Sequence, residues 1–201
     1  MYDAKENPEK ILLSIKTLLS LGVEDRQHCF HTPVFSNITK DLSPSSRIVV
    51  LRNFDTKNYV LSFHTDYRSK KILEIQNKSQ TFFTFYDKKE KTQLRIQTNS
   101  SIQYNNRISL KAWKNTKLSS RKCYLTKKAP SSKTYKAEDG LSAHLKGIDP
   151  KLEESEKGYN NFAVITSKIK EIDWLYLSSS GHIRLRILIK QRKIEFNWLI
   201  P

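Results

Sequence analysis

The chain is poor in several features that would each have indicated a function. It has only two cysteines in 201 residues, Cys29 and Cys123. Two thiols so far apart build neither a disulfide framework nor a zinc cluster, and they read as ordinary buried thiols. No apolar run approaches the length of a membrane span. The opening MYDAKENPEK is charged rather than apolar, so no signal peptide is expected and the cytoplasm is the expected compartment. None of the five glycines falls in a GxGxxG or Walker pattern. His28 and His31 would face opposite sides of a strand, and no histidine pair is spaced for a metal, so none is expected. Ser, His and Asp occur without a nucleophile elbow, which leaves a hydrolase unsupported. Internal repeats and α/β alternation are also lacking.

Acidic residues are scarce as well. Twenty Asp and Glu stand against 36 Lys and Arg, for a formal net charge of +16. Such an excess attracts polyanions, including nucleotide phosphates and nucleic acid. The cations are spread along the chain, at Lys70-Lys71, Lys88-Lys89, Lys127-Lys128 and Lys168-Ile169-Lys170. Spread charge does not by itself build a nucleic-acid face, and specific nucleic-acid binding is not the favoured expectation.

The length suits one domain with a real core. Asn7-Pro8 is a helix start, with Asn as N-cap and Pro at the first helical position. Ile11, Leu12, Ile15, Leu18 and Leu19 then form one apolar face, which predicts a helix in the segment 1–22. Gln27–Asn37 reads as a strand, with Pro33 marking an edge or a bulge. Arg47–Arg52 reads as one strand, and Tyr59–His64 as its hairpin partner across the turn formers Asn53–Asn58. Tyr67–Asn77 has helical spacing. Thr81–Tyr86 and Thr92–Tyr104 read as strands around a charged turn. Arg107–Lys114 reads as a helix with Ile108, Ala112 and Trp113 inward. The segment 125–158 is a long excursion with few large apolar groups, a candidate lid. Phe162–Thr166, Glu171–Leu177, Ile183–Ile189 and Lys193–Leu199 read as four strands, with Lys190-Gln191-Arg192 as the last turn. The sum is a mainly β domain of roughly eight antiparallel strands with flanking helices, closing as a barrel or sandwich.

The stretch Arg47–Lys71 concentrates the polar chemistry. Thr65, Arg68, Ser69, Lys70 and Lys71 crowd a strand-to-helix junction, where hydroxyls, cations and a helix N-terminus could hold a phosphate. A hairpin with a solvated basic rim is the equal alternative. Arg47 and Arg52, five apart, fall on opposite faces of an ideal strand. Gln93 shares a face with Arg95, and Arg184 with Arg186; solvated strand surface is the plainer reading of these.

The order of these segments resembles the pyridoxamine 5'-phosphate oxidase-like flavoproteins, which have the FMN-binding split β-barrel fold. The matching pieces are Pro44–Arg52, then Phe63–Lys71, Gln93–Ile96, Trp113–Arg121, Asn161–Val164, Ile172–Leu177, His182–Leu185 and Trp198–Pro201. The resemblance implies a single 1–201 domain, an FMN cofactor and a homodimer with FMN at its interface. It places Arg47, Thr65, Lys70 and Lys71 on the FMN phosphate, with Ser69 nearby and His64 among the cofactor-binding positions. It sets the Val49, Val50, Leu51 and Arg52 backbone beside the flavin ring, and Gln93 on the ring or ribityl chain. Tyr176 and Arg184 would reach the same flavin from the partner subunit. The implied function is hydride transfer between the flavin and a small substrate. The alternatives are a flavin-binding protein without such turnover and a basic nucleic-acid-binding protein. The substrate half of the family pattern is not matched: Trp113, Lys117 and Ser120 or Arg121 stand in place of its Tyr, Arg and Ser. His182-Ile183-Arg184 replaces its Arg-x-His pair. No catalytic residue is assigned.

Overall fold

The computed structural model describes residues 7–191 and 193–201. Residues 1–6 of the expected first helix and Arg192 of the expected last turn lie outside the described residues. Helix α1 spans Pro8–Glu24, with the Asn7 side chain accepting from Lys10 N–H at 2.9 Å and Pro8 at its first position. It runs past the expected end because Gly22 continues the buried stripe of Ile11, Leu12, Ile15 and Leu19.

Nine strands follow: β1 Val34–Ile38, β2 Pro44–Ile48, β3 Leu51–Asp55, β4 Val60–Asp66, β5 Gln80–Asp87, β6 Thr92–Tyr104, β7 Phe162–Tyr176, β8 Ile183–Ile189 and β9 Ile194–Leu199. All pair antiparallel, in the order β2-β1-β5-β6-β7-β4-β3, with β8 on β7 and β9 on β8. The two ends of that path, β2 and β3, are neighbours in the chain, joined only by Val49 and Val50. The sheet must therefore curl until its edges meet at this link, which makes it a split barrel. Phe35, Phe63, Phe83 and Phe85 pack inside it as tilted, edge-on and stacked pairs. Such contacts add to the burial of large apolar surface.

Several expectations are corrected. Arg47–Arg52 is not one strand. The chain leaves the β1 edge after Ile48 and joins β4 at Leu51, so the hairpin is β3–β4. Of Gln27–Asn37 only Val34–Ile38 is extended; Cys29–His31 forms a 3-10 turn, because Pro33 has no N–H for a ladder. Phe162–Thr166 and Glu171–Leu177 fuse into one strand, β7, in which a bulge near Lys170 absorbs the polar break. Both cysteines are exposed rather than buried.

Between β4 and β5 lies helix α2, Lys70–Asn77. The sheet's outer side carries α3, Arg107–Lys114, and the short α4, Leu118–Arg121. Asn106 and Ser109 close a reciprocal capping box on α3. The inward residues of α3 are Ser109 and Trp113, whereas Ile108 is half exposed. The 125–158 excursion holds a 3-10 turn at Ala143–Leu145 and helix α5, Leu152–Glu156. Among the described residues no helix is long and apolar enough to cross a membrane.

Candidate functional site

The structure sorts the expected site residues into three groups. The first gathers at one mouth of the barrel. Arg47 is an inward residue of β2, its guanidinium over the Phe35 ring. Thr65 is the last inward residue of β4. Four residues on, Ser69 takes the N-cap position of α2, and its hydroxyl donates to Asp66 O at 2.7 Å. Lys71 Nζ donates to Thr65 Oγ1 at 2.9 Å and Ser69 Oγ at 3.0 Å. Arg47 is held by the Asn37 amide oxygen and by Ser45 Oγ, with Glu74 at 3.7 Å. Burial holds the Lys71 ammonium below its ordinary pKa, and the neighbouring Arg47 charge adds to this. Burial likewise lowers Arg47, against the pull of Glu74.

Two partly buried cations pressed together beside two hydroxyls and a helix N-terminus suit a dianion. A phosphate would relieve their repulsion, accept from both cations and engage the hydroxyls. Lys70, by contrast, is exposed on the first turn of α2. Arg68 is occupied elsewhere: Asp66 holds it at 2.6 and 3.0 Å, and it donates to Thr126 O at 3.0 Å, tying the excursion to this corner.

The second group lies on the other side of the sheet. Arg52 and His64 line a groove of about 1060 Å³ between the β3, β4 and β7 surface and helix α3. Arg47 and Arg52 occupy opposite sides, but as members of β2 and β3 on either side of the crossing and not by alternation along one strand. His64 packs edge-on against Phe162. Burial, helped by the Arg52 charge, holds its pKa down to about 4, so the imidazole is neutral near pH 7. Val49 and Leu51, both buried, and Val50 form the crossing that joins mouth to groove.

The third group, Gln93, Tyr176 and Arg184, lies towards the other end of the β6–β7–β8 ladder from Thr65. Thr65 pairs with Ala163 at one end of β7, whereas Gln93 and Arg184 both pair with Leu175 near the other end. At about 3.3 Å per residue that run of β7 is roughly 40 Å long. Here Asp173 receives Arg184 through two bonds of 2.9 and 2.7 Å, and Arg95 at 2.6 Å. Burial works to raise the Asp173 carboxyl, but the Arg184 and Arg95 interactions outweigh it and hold it below the usual range.

Trp113 and Arg121 are structural. Trp113 is fully buried and donates from Nε1 to Glu156 at 3.0 Å. Arg121 is 4% exposed, stacks on Trp113 and donates to Thr116 O, Trp113 O, Ser155 Oγ and Glu156 Oε1. Asn115, Thr116, Lys117 and Ser120 of that segment line the groove. Residues that the sequence did not single out are Asn37 and Glu74 behind Arg47, and Arg26, Arg107 and Lys111 on the groove wall. These last three look like ordinary surface cations in the sequence, and no motif marks them.

A fourth cluster brings the side chains of His28, Cys29 and Asp87 within 4.8 Å of one another. His28 Nδ1 accepts from Phe30 N–H at 3.1 Å, which puts the ring proton on Nε2, the atom that faces Asp87. A ligating imidazole donates from its second nitrogen instead, so this arrangement does not suit a metal.

The fold and the mouth together define an antiparallel split barrel with a cationic, hydroxyl-lined cradle. Residues 14–103 match the family described as "Pyridoxamine 5'-phosphate oxidase, FMN-binding domain". The chain resembles that family's FMN-binding split-barrel proteins, in sequence over this stretch and in fold over nearly its whole length. A pyridoxamine 5'-phosphate oxidase-related, FMN-binding protein from Nostoc punctiforme superposes with a TM-score of 0.73 at 16% identity, over 94% of this chain and 96% of that one. PhzG from Burkholderia lata, solved with tetrahydrophenazine-1-carboxylic acid, gives 0.69 at 16% identity, over 95% and 92%. A protein related to general stress protein 26 from Clostridium acetobutylicum gives 0.53 at 7% identity, over 96% and 97%. No curated protein matches by sequence.

Proposed function

We propose that this protein is an FMN-dependent oxidoreductase acting on a small substrate, in the manner of the pyridoxamine 5'-phosphate oxidase-like flavoproteins. The observation that carries the reading is the cradle of Arg47, Lys71, Thr65 and Ser69, inside the stretch that matches the family's FMN-binding domain. Arg47 and Lys71 would hold the flavin phosphate by charge-assisted bonds, with Thr65 and Ser69 adding directed hydroxyl contacts. The crossing at Val49 and Val50 lies between paired strands; Val49 N–H is taken by Pro33 O at 3.0 Å, so the remaining backbone groups of the crossing would bond the edge of the ring. Arg52 and His64 would face the ring's reactive side from the groove. When bound, the flavin would supply the two-electron chemistry that side chains lack, while the protein supplies position and electrostatics.

Gln93, Tyr176 and Arg184 lie on β6, β7 and β8, towards the opposite end of that ladder from Thr65 of the cradle. Their part in the same site requires a second copy, so the proposed active form is a homodimer. Trp113 and Arg121, committed to the interior, leave pyridoxamine phosphate without the family's substrate contacts, which favours a different substrate.

The test is the visible spectrum of the purified protein, followed by titration with FMN. Flavin bands, or tight uptake of added FMN, are expected; a protein colourless before and after FMN addition sinks the proposal. Anaerobic mixing of the loaded protein with NADPH, NADH or pyridoxamine phosphate then separates turnover from mere binding. Bleaching by one of them supports the oxidoreductase; if none of these nor any other donor bleaches it, a flavin-binding protein without turnover stands instead.

A further inference from the structure

The arginines elsewhere in the fold are mostly committed. Arg47, Arg68, Arg95, Arg121 and Arg184 each meet a carboxylate. The groove is the exception. Arg26, Arg52, Arg107, Lys111 and Lys117 all line it, and none of these side chains has a hydrogen bond or ion pair among the described residues. Among the described residues only one carboxylate, Asp55, lines the same groove. That carboxylate is already taken by its own hairpin turn, accepting from Lys57 N–H at 3.0 Å, Asn58 N–H at 2.9 Å and Asn58 Nδ2 at 2.7 Å. Five like charges around one concavity repel one another, and a ligand with several negative groups would relieve that repulsion.

The charges are also spread out. Arg107 begins α3, Lys111 sits one turn later, and Lys117 precedes α4. At a rise of about 1.5 Å per residue, the length of α3 alone separates the two ends by on the order of 10 Å. Between them the walls are apolar: Val60 and Val164 from the sheet, Ala112 and Ile108 from the helix. A volume of about 1060 Å³ is at the upper end of what single small-molecule sites offer.

We infer that the substrate of this groove is an elongated molecule with an apolar body carrying at least two anionic groups, on the order of 10 Å apart, rather than a compact monophosphate. One negative group meets Arg52 and Lys117, and the other meets Arg107 and Lys111, with the apolar body held between sheet and helix. The neutral His64 adds a hydrogen-bonding group without further charge. The inference takes its redox meaning from the flavin reading, but its test does not depend on it.

Three probes differ in one property each: biphenyl-4,4'-disulfonate, biphenyl-4-sulfonate and benzene-1,3-disulfonate. Each is titrated into the purified protein at fixed ionic strength, with and without FMN. The long dianion is expected to bind on the order of tenfold more tightly than either control, the worth of about one charged hydrogen bond. Arg107→Gln and Lys111→Gln should each bring it close to the level of the monosulfonate while leaving FMN affinity unchanged. Equal binding of the three probes, or no response to either substitution, overturns the proposal. FMN titration on the same samples reports separately on the flavin: a protein that sorts the probes but takes no FMN keeps the groove and loses the oxidoreductase.

Discussion

At the scale of single residues, the cradle gives the sharpest expectation. Replacing Arg47 or Lys71 with Ala removes a charged hydrogen bond worth roughly 1.5–3 kcal/mol, so FMN affinity should fall by about tenfold or more in each. Isothermal titration checks it, and unchanged affinity in both variants means the phosphate lies elsewhere. His64 makes a second prediction, in pH. Its pKa of about 4 in the fold lies below the ordinary value of 6.5. Between those values the unfolded chain takes up the proton and the fold does not. His64 therefore costs no stability above about pH 6.5, and stability falls as the pH drops towards 4, by up to about 3 kcal/mol. A His64→Phe variant should show a flatter melting-temperature profile across that window. Part of this was legible in the sequence: Thr65, Ser69 and Lys71 meet at the strand-to-helix junction where the sequence crowds them, whereas Arg68 and Lys70 stay out of the cradle and Arg47 was tied to it by the family resemblance alone. Asn37 and Glu74 were not legible, because they come from a different strand and from the far side of α2. Trp113 was read as inward and is fully buried, but the fate of Arg121, which shares a motif with Lys117 and yet points into the interior, was not legible.

At the scale of elements, the missed features share a cause. Periodicity reports which residues alternate, but it does not say which edge a strand will join. Arg47–Arg52 alternates well enough for one strand, yet the barrel needs its two edges linked, and the chain divides at Val49-Val50 to do it. In the sequence Lys168 and Lys170 look like a break in β7; in the sheet Lys168 pairs with Asn99 and Lys170 alone is bulged out, which bends the strand without ending it. Helix α1 was placed correctly from its cap and stripe, but its fit depends on Gly22. A Cβ there would lie 2.7 Å from Phe30 O, in the 3-10 turn that also sends His31 Nδ1 to Gly22 O at 2.7 Å. Overpacking of this kind costs roughly 1–3 kcal/mol. Gly22→Ala should therefore lower the melting temperature by about 2–10 °C. Calorimetry reads this directly, and an unshifted transition means the helix end can slide aside.

At the scale of the whole molecule, the separation of Gln93, Tyr176 and Arg184 from the cradle makes the proposed dimer testable without a structure. Arg47→Ala disables the cradle side of every site, and Arg184→Ala the partner side. If both sides come from different chains, random pairing of the two variants restores about a quarter of the sites. A fraction of sites with tight FMN binding in the mixture, against only weakened binding in each variant alone, is the expected outcome; no recovery on mixing, with dimers present by sedimentation, places both sides on one chain. The net charge of +16 also looks different at this scale. In the sequence it was a diffuse lysine bias. In the fold several arginines are neutralised in pairs, and a set of five unpaired cations is turned towards one groove.

The two-residue crossing at Val49-Val50 has a further consequence. It is the seam where the rim of the cylinder is stitched by chain alone, with no ladder across it. A cofactor lying along that seam, its phosphate pinned by Arg47 on one lip and by Thr65 and Lys71 on the other, would act as a clasp. Its grip then adds to the cohesion of the whole cylinder by mass action, about 2.7 kcal/mol at a hundredfold excess over Kd. Heating the protein with increasing FMN should raise the melting temperature steadily. Hydrogen exchange should slow first at the two lips, β2 and the end of β4, before it slows in the distant β8–β9 hairpin.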